Sequence, residues 1–289
     1  MIGIIVPPLE NQFYPEMLET LAGAFGQYGQ RILLFTSRHD ASNDPILQDV
    51  LNARVDALVM VSASVSSVFA DECRAIGLPI VMLNRKTDSR SVSSVTGANR
   101  KGAAAIADFL VAGRHTRFAY LAGLETSSTS RDREEAFVER LAHHGKELAC
   151  REIGNYSTAG ATAAARALLG RDRPPDAIFC ANDHMALVTI GLARSEFGLD
   201  VGRAVSVVGF DDSQLARWPL FLLTTYSQPL ATMADKVAEI VDEQLNGDGG
   251  SVAEIEVPGE LLVRQSARLP RRGLSGPPER MIWRAPKNG

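Results

Sequence analysis

Two places in the sequence put acids and amides directly behind an apolar run. Ala177-Ile178-Phe179-Cys180 stops at Ala181-Asn182-Asp183, and the run Ala204 to Phe210 stops at Asp211-Asp212. Each run suits a strand buried on both faces. Behind Asp183 the apolar residues Met185, Leu187, Val188 and Leu192 follow helical spacing. Asn182 and Asp183 can therefore cap a helix, accepting from the free N–H groups of its first turn. They also stand where ligands of parallel α/β sheets bind, beyond the carboxyl ends of the strands. The stretch alone leaves both readings open. Asp211-Asp212 has the residue types of a metal or acid–base pair. Adjacent side chains usually diverge, however, so a catalytic dyad is not expected there.

Other chemistry lacks its residues. There is no P-loop, no G-x-G-x-x-G behind a strand, no G-x-S-x-G elbow and no H-E-x-x-H. The five histidines, His39, His115, His143, His144 and His184, form no ligand cluster, so no metal and no cofactor is expected. Cys73, Cys150 and Cys180 are odd in number and widely separated, which argues against a disulfide framework and for a reducing compartment. The 289 residues are 45% hydrophobic and 22% charged with net charge −4, a globular balance and a poor electrostatic match for nucleic acid or an anionic membrane. No apolar run approaches a membrane span, and the first residues read as a strand without a basic n-region or cleavage site.

The elements that must position these residues follow one rhythm. Ile2 to Val6, Arg31 to Phe35, Ala57 to Val61 and Pro79 to Leu83 read as strands. A loop over Pro7 to Tyr14 leads to a helix with Met17, Leu18, Leu21, Ala22 and Phe25 on its apolar face. Further helices are expected over Asp44–Asn52 and Val65–Ile76. The pattern restarts near Ser94, with strands at 117–123, near 150–153, at 177–181 and 204–210. The helices between them are Lys101–Val111, Arg131–His144, Ala159–Leu169 and Asn182–Phe197. Alternating strands and helices imply parallel sheets with right-handed crossovers. After Phe221 the rhythm breaks into an extended piece, a helix over Leu230–Leu245 and two more extended pieces, too little for a domain. The stretch from Arg271 to Gly289 has no periodicity and is expected to be a disordered tail.

The combined pattern AND, SVVGFDD, LTT and QP between Ala181 and Pro229 resembles the effector-binding domain of LacI/GalR-family transcription regulators. Supporting matches are IGIIVPPLENQFY, VDALVMVSA, LPIVMLNR, FLVAGRHTRFAYLAG, SSTSRDREEAF and PGELLVRQSARLP. Together they span Ile2 to about Pro270. The resemblance implies an α/β fold of the type I periplasmic-binding-protein class: two doubly wound parallel-sheet subdomains joined by three crossovers, with a ligand cleft between them. The expected subdomains are 1–96 plus 228–257 and 97–227 plus 258–270. Ala98 stands where the family often has an acidic residue, which puts the hinge contacts in question, and Ala136 replaces a usual glycine.

The resemblance also assigns roles. Arg133 matches the arginine that grips the ligand, its planar fork suited to paired hydroxyls or a carboxylate; otherwise it would pair on the helix surface with Glu134 or Glu139. Asn182 and Asp211 match the polar pair on ligand hydroxyls, with Asp183 left to cap or brace the helix. Tyr156 matches an aromatic cover, and Phe13 and Tyr14 flank the ligand from the other side. Asn84, Gln228 and Thr129 complete the expected set, with Thr36 and Arg38 as outer candidates. No catalytic residue is expected.

The implied function is effector sensing in a cytoplasmic transcription regulator, a repressor, acting as a homodimer and not as an enzyme. The implied effector is a sugar or sugar derivative, with a nucleoside or purine as the other class. Operator DNA would be met only through an N-terminal helix-turn-helix head, which these residues do not include. The alternative is the solute-binding protein of a sugar importer.

Overall fold

The computed structural model describes residues 1–36, 44–62, 69, 72, 73, 75–87, 92–247 and 251–286, the side chains of 44–47 excepted. Most of the helix expected over Val65–Ile76, and Arg38, lie outside the described residues. In chain order the elements are β1 (Ile2–Val6), α1 (Phe13–Gln27), β2 (Ile32–Thr36), α2 (Asp44–Ala53), β3 (Ala57–Val61), β4 (Ile80–Leu83) and β5 (Ser93–Gly97). Then come α3 (Asn99–Ala112), β6 (Phe118–Ala122), α4 (Ser128–His143), β7 (Leu148–Ile153), α5 (Thr158–Leu169), β8 (Ala177–Cys180), α6 (Asp183–Ser195), β9 (Ser206–Asp211) and β10 (Thr224–Ser227). The chain ends with α7 (Leu230–Asn246), β11 (Glu254–Val257), β12 (Leu261–Leu262), β13 (Leu274–Ser275) and β14 (Ile282–Trp283).

These elements form two compact units, Met1–Gly97 with Pro229–Val257 and Ala98–Gln228 with Pro258–Gly289, so the chain crosses between them three times. The fold is α/β with largely parallel sheets. The first unit has a six-stranded sheet in the order β11-β5-β4-β3-β1-β2, every pairing parallel. Side chains alternate across it with the period of two that a strand imposes. Ile2, Ile4, Val6, Val59 and Val61 meet Met17, Leu21 and Phe25 of α1 and Met233 and Val237 of α7 on one face. Ile5, Leu58 and Met60 form a second core on the other face, with Val50 of α2. The edge strand β2 is half-exposed along its length, as an unpaired edge requires of its composition.

The second unit has an eight-stranded sheet, β13-β14-β12-β10-β9-β8-β6-β7. β7, β6, β8, β9 and β10 run parallel; β12, β14 and β13 add antiparallel pairings at one edge. Tyr120, Phe137 and Phe179 stack edgewise and obliquely at its centre, with centroids 5.1–6.1 Å apart. No helix among the described residues is long and apolar enough to cross a membrane.

Three expectations change. Residues 271–286 are not a free tail: Trp283 is buried at 3% exposure, meets Phe109 edgewise at 5.6 Å, and pairs through β14 with both β12 and β13. Two-residue strands carry no periodicity, so the sequence hid them. α1 begins at Phe13, which moves Phe13 and Tyr14 from a loop into a first helical turn. Pro15 is tolerated there because first-turn N–H groups have no intrahelical acceptor. α4 begins at Ser128, earlier than its apolar spacing indicates, and takes Thr129 into its first turn.

Candidate functional site

In the second unit the sheet order reverses at β6: β7 lies on one side and β8 on the other. Crossover helices leave such a point in opposite directions, so a crevice opens beyond the strand ends. Ser227 is level with Asp211. Extending the β8–β9 register, in which Phe179 faces Val208, brings Asn182 to the same level, and the β6–β8 register adds Gly123. One row thus carries the ends of β6, β8, β9 and β10.

Arg133 reaches this row from the second turn of α4 and is buried at 2% exposure. Its Nε donates to Asn99 Oδ1 at 2.8 Å and its Nη1 to the Ala181 carbonyl at 2.5 Å. The guanidinium lies over the Phe210 ring, 3.6 Å from the centroid, and Nη1 stands 3.7 Å from Asp211 Oδ1. The surface alternative fails because Glu134 pairs with Arg151 and Glu139 with Arg100.

Asp211 is held on three further sides. Gln228 Nε2 donates to its Oδ1 at 2.7 Å, the Gln228 N–H donates to its carbonyl, and the Asp183 N–H donates to its carboxylate. Burial pushes the Asp211 carboxyl up to about 8. The nearby Asp183 charge pushes the same way, and Arg133, Gln228 and the Asp183 amide oppose it. Asp212 turns away to Arg264 and Arg217, so the two consecutive acids make no dyad.

Asn182 and Asp183 divide the work differently from expectation. Asn182 Oδ1 accepts from the Met185 N–H at 3.0 Å and caps α6. Asp183 braces rather than caps: fully buried, it accepts from Thr225 Oγ1 at 2.6 Å and from the N–H and Oγ of Ser213. Burial raises its pKa to about 6, against the hydrogen bonds from Thr225 and Ser213. Gly209 is required here, since a Cβ would stand 2.3 Å from Asp183 Oδ1. Gly123 likewise leaves room for Tyr156, whose Cζ would be 2.0 Å from an added Cβ. Thr129 Oγ1 shares a hydrogen bond with Ser127 Oγ at 2.7 Å and stands at the helix start, one turn before Arg133.

The first unit has a polar set of its own at its strand ends. Asn84, directly behind β4, donates from Nδ2 to Ser62 Oγ, behind β3, at 2.9 Å. Phe13 and Tyr14 meet edgewise at 5.8 Å and are buried at 2% and 7% exposure, packed into the core of that unit. Thr36 is exposed at the end of β2.

Two signals single out these strand ends. Non-glycine residues with positive φ gather there: Ser62 (51°) and Asn84 (63°) in the first unit, Asn155 (52°), Tyr156 (58°), Asp211 (135°) and Asp212 (58°) in the second. Such backbone is costly and concentrates at ligand sites. Buried polar atoms without a hydrogen-bond partner among the described residues include Arg133 Nη2, Tyr156 Oη, Gln228 Oε1 and Asn84 Oδ1. Nearly all buried polar atoms in proteins are paired. Asn99, Phe210 and the Ala181 carbonyl also belong to the Arg133 cluster, although no motif chemistry pointed to them.

Residues 107–267 match the family of periplasmic binding protein-like domains. The chain is 30% identical over 280 residues to the HTH-type transcriptional regulator MalR of Streptomyces coelicolor, covering 92% of this chain and 80% of MalR. Among solved structures, a LacI transcriptional regulator from a Rhodococcus species superposes with TM-score 0.82 at 24% identity, covering 93% of this chain and 99% of that one. A LacI-family regulator from Enterococcus faecium with bound ribose superposes with TM-score 0.83 at 19% identity, covering 94% and 99%.

Proposed function

Since the chain belongs to the LacI family of transcription regulators and forms the effector-sensing domain of such a regulator, we propose that its effector is a small sugar or sugar derivative held at the Arg133 cluster. The observation that carries this reading is the set of unpartnered buried atoms. Arg133 Nη2 is a donor, Gln228 Oε1 an acceptor, and Tyr156 Oη both. A polyol needs that mixture, because each of its hydroxyls donates once and also accepts. Asn182 and Asp211 lie in the same row of strand ends, and Thr129 is a further candidate on this unit; in the first unit Asn84, Phe13 and Tyr14 are candidates by the family resemblance alone. The ribose in the Enterococcus faecium regulator is in keeping with this class.

The effector acts by population shift. It biases operator affinity only through its different affinity for the two conformations of the regulator. DNA is contacted by a helix-turn-helix head, the regulator works in the cytoplasm as a repressor, and a second copy of the chain is its partner. Trp218 and Leu220, exposed at 54% and 65% on one loop of the second unit, supply an apolar surface for that copy. Light scattering should show a dimer that Leu220→Asp converts to monomer; a monomer at all concentrations would remove this part.

Thermal-shift screening with monosaccharides, sugar acids, polyols, nucleosides and purines tests the effector class. A sugar is expected to raise the melting temperature, and Gln228→Ala to reduce that rise. Stabilisation by a purine or nucleoside, and by none of the sugars, would sink the sugar assignment.

A further inference from the structure

Away from the Arg133 cluster, the second unit contains a separate cavity of about 360 Å³. One wall is α3, which presents Lys101, Ala105 and Asp108. Spacings of four and three residues put them on one helical face. The facing wall is the C-terminal strand β14 with its continuation, Ile282, Trp283 and Arg284, backed by Leu261 of β12. The volume lies within the range of small-molecule sites, about 300–1,000 Å³.

The charges on this lining are mostly spoken for. Asp108 Oδ1 accepts from Arg140 Nε and contacts His144 Nε2, each at 2.6 Å. Glu260 pairs with Arg284 at 2.7 Å and with Arg280 at 3.2 Å. Lys101 has no ion pair among the described residues, which leaves one ammonium group unmatched beside the half-buried Ile282, with Trp283 and Leu261 buried at the cavity floor. Trp283 cannot present its indole N–H to an occupant, because Nε1 donates to the Arg272 carbonyl at 2.9 Å. What this wall offers a ligand is therefore apolar area, and what Lys101 offers is positive charge.

We propose that this cavity is a second ligand site, one that takes a small organic anion with a flat apolar body, with its carboxylate at Lys101 and its ring over Ile282, beside the buried Trp283. The site is distinct from the effector cluster but adjoins it twice: α3 carries Asn99, the partner of Arg133, at its first residue and the cavity wall from Lys101 onward, and Tyr226 of the lining packs against Phe210, the ring beneath Arg133, at 5.1 Å.

The two tryptophans make the test direct. In a Trp218→Phe background Trp283 is the sole indole, and its fluorescence is read during titration with benzoate. Benzyl alcohol serves as the uncharged counterpart and inorganic phosphate as charge without an apolar body. Benzoate is expected to change the signal saturably, and both controls to bind more weakly. Lys101→Gln should weaken benzoate about two- to fivefold, the scale of an exposed charge contact, and leave benzyl alcohol unchanged. Gln228→Ala should leave benzoate affinity unchanged, which separates this site from the effector cluster. Absence of a saturable benzoate signal, benzoate binding indifferent to Lys101→Gln, or loss of binding in Gln228→Ala would each overturn the proposal.

Discussion

Replacing Arg133 by methionine keeps the length and apolar stem of the side chain and removes only its guanidinium. Two charged-donor hydrogen bonds go, to Asn99 Oδ1 and the Ala181 carbonyl, along with the contact over Phe210. Relief of guanidinium desolvation offsets part of that loss, so the pH-independent cost is about 2–4 kcal/mol. The informative part depends on pH. The Asp211 carboxyl titrates at about 8 in the fold, above its ordinary 3.8. An acid raised in this way binds its proton more tightly folded than unfolded. The stability it contributes is full below the ordinary value and is lost as pH rises through the folded one. Without Arg133 the folded value rises further, since the opposing positive charge is gone. The variant then keeps its proton at a pH where the wild type has released it, and each pH unit above the wild-type value costs about 1.4 kcal/mol. Urea unfolding should therefore show Arg133→Met costing about 1.4 kcal/mol more at pH 9 than at pH 6. In an Asp211→Asn background that difference should vanish. An equal cost at both pH values, or an extra cost that survives Asp211→Asn, would refute the ion-pair reasoning.

Trp283→Ala should destabilise the second unit by about 3 kcal/mol, the lower end for a buried aromatic, measured by urea unfolding; a cost near zero would restore the disordered tail. Gly123→Ala should force the Tyr156 ring from its place, because the new methyl would sit 2.0 Å from Cζ. Weaker effector binding in a folded Gly123→Ala variant, read by calorimetry, is the expected outcome, and wild-type affinity would remove Tyr156 from the site.

The sequence by itself determined the alternation of strands and helices, because a strand buried on both faces must be continuously apolar and an amphipathic helix must repeat its apolar residues near every 3.6 positions. Ile2 to Val6 and Ala57 to Val61 show the first rule, and Met17, Leu21 and Phe25 the second. It also placed polar residues at strand ends, where Asn182, Asp211 and Gln228 are found. Tertiary structure decided which of them meet. Arg133 and Asn99 are far apart in the chain and lie on different helices, and only the packing of α3 against α4 brings Nε to Oδ1. The sharing of roles between Asn182 and Asp183 was undecidable locally, since either can cap; Ser213 and Thr225, from beyond β9 and on β10, claim the acid and leave the amide to the helix. The fate of Trp283 was equally hidden. A two-residue strand has no period to read, and its burial exists only because β12 and Phe109 are there to receive it.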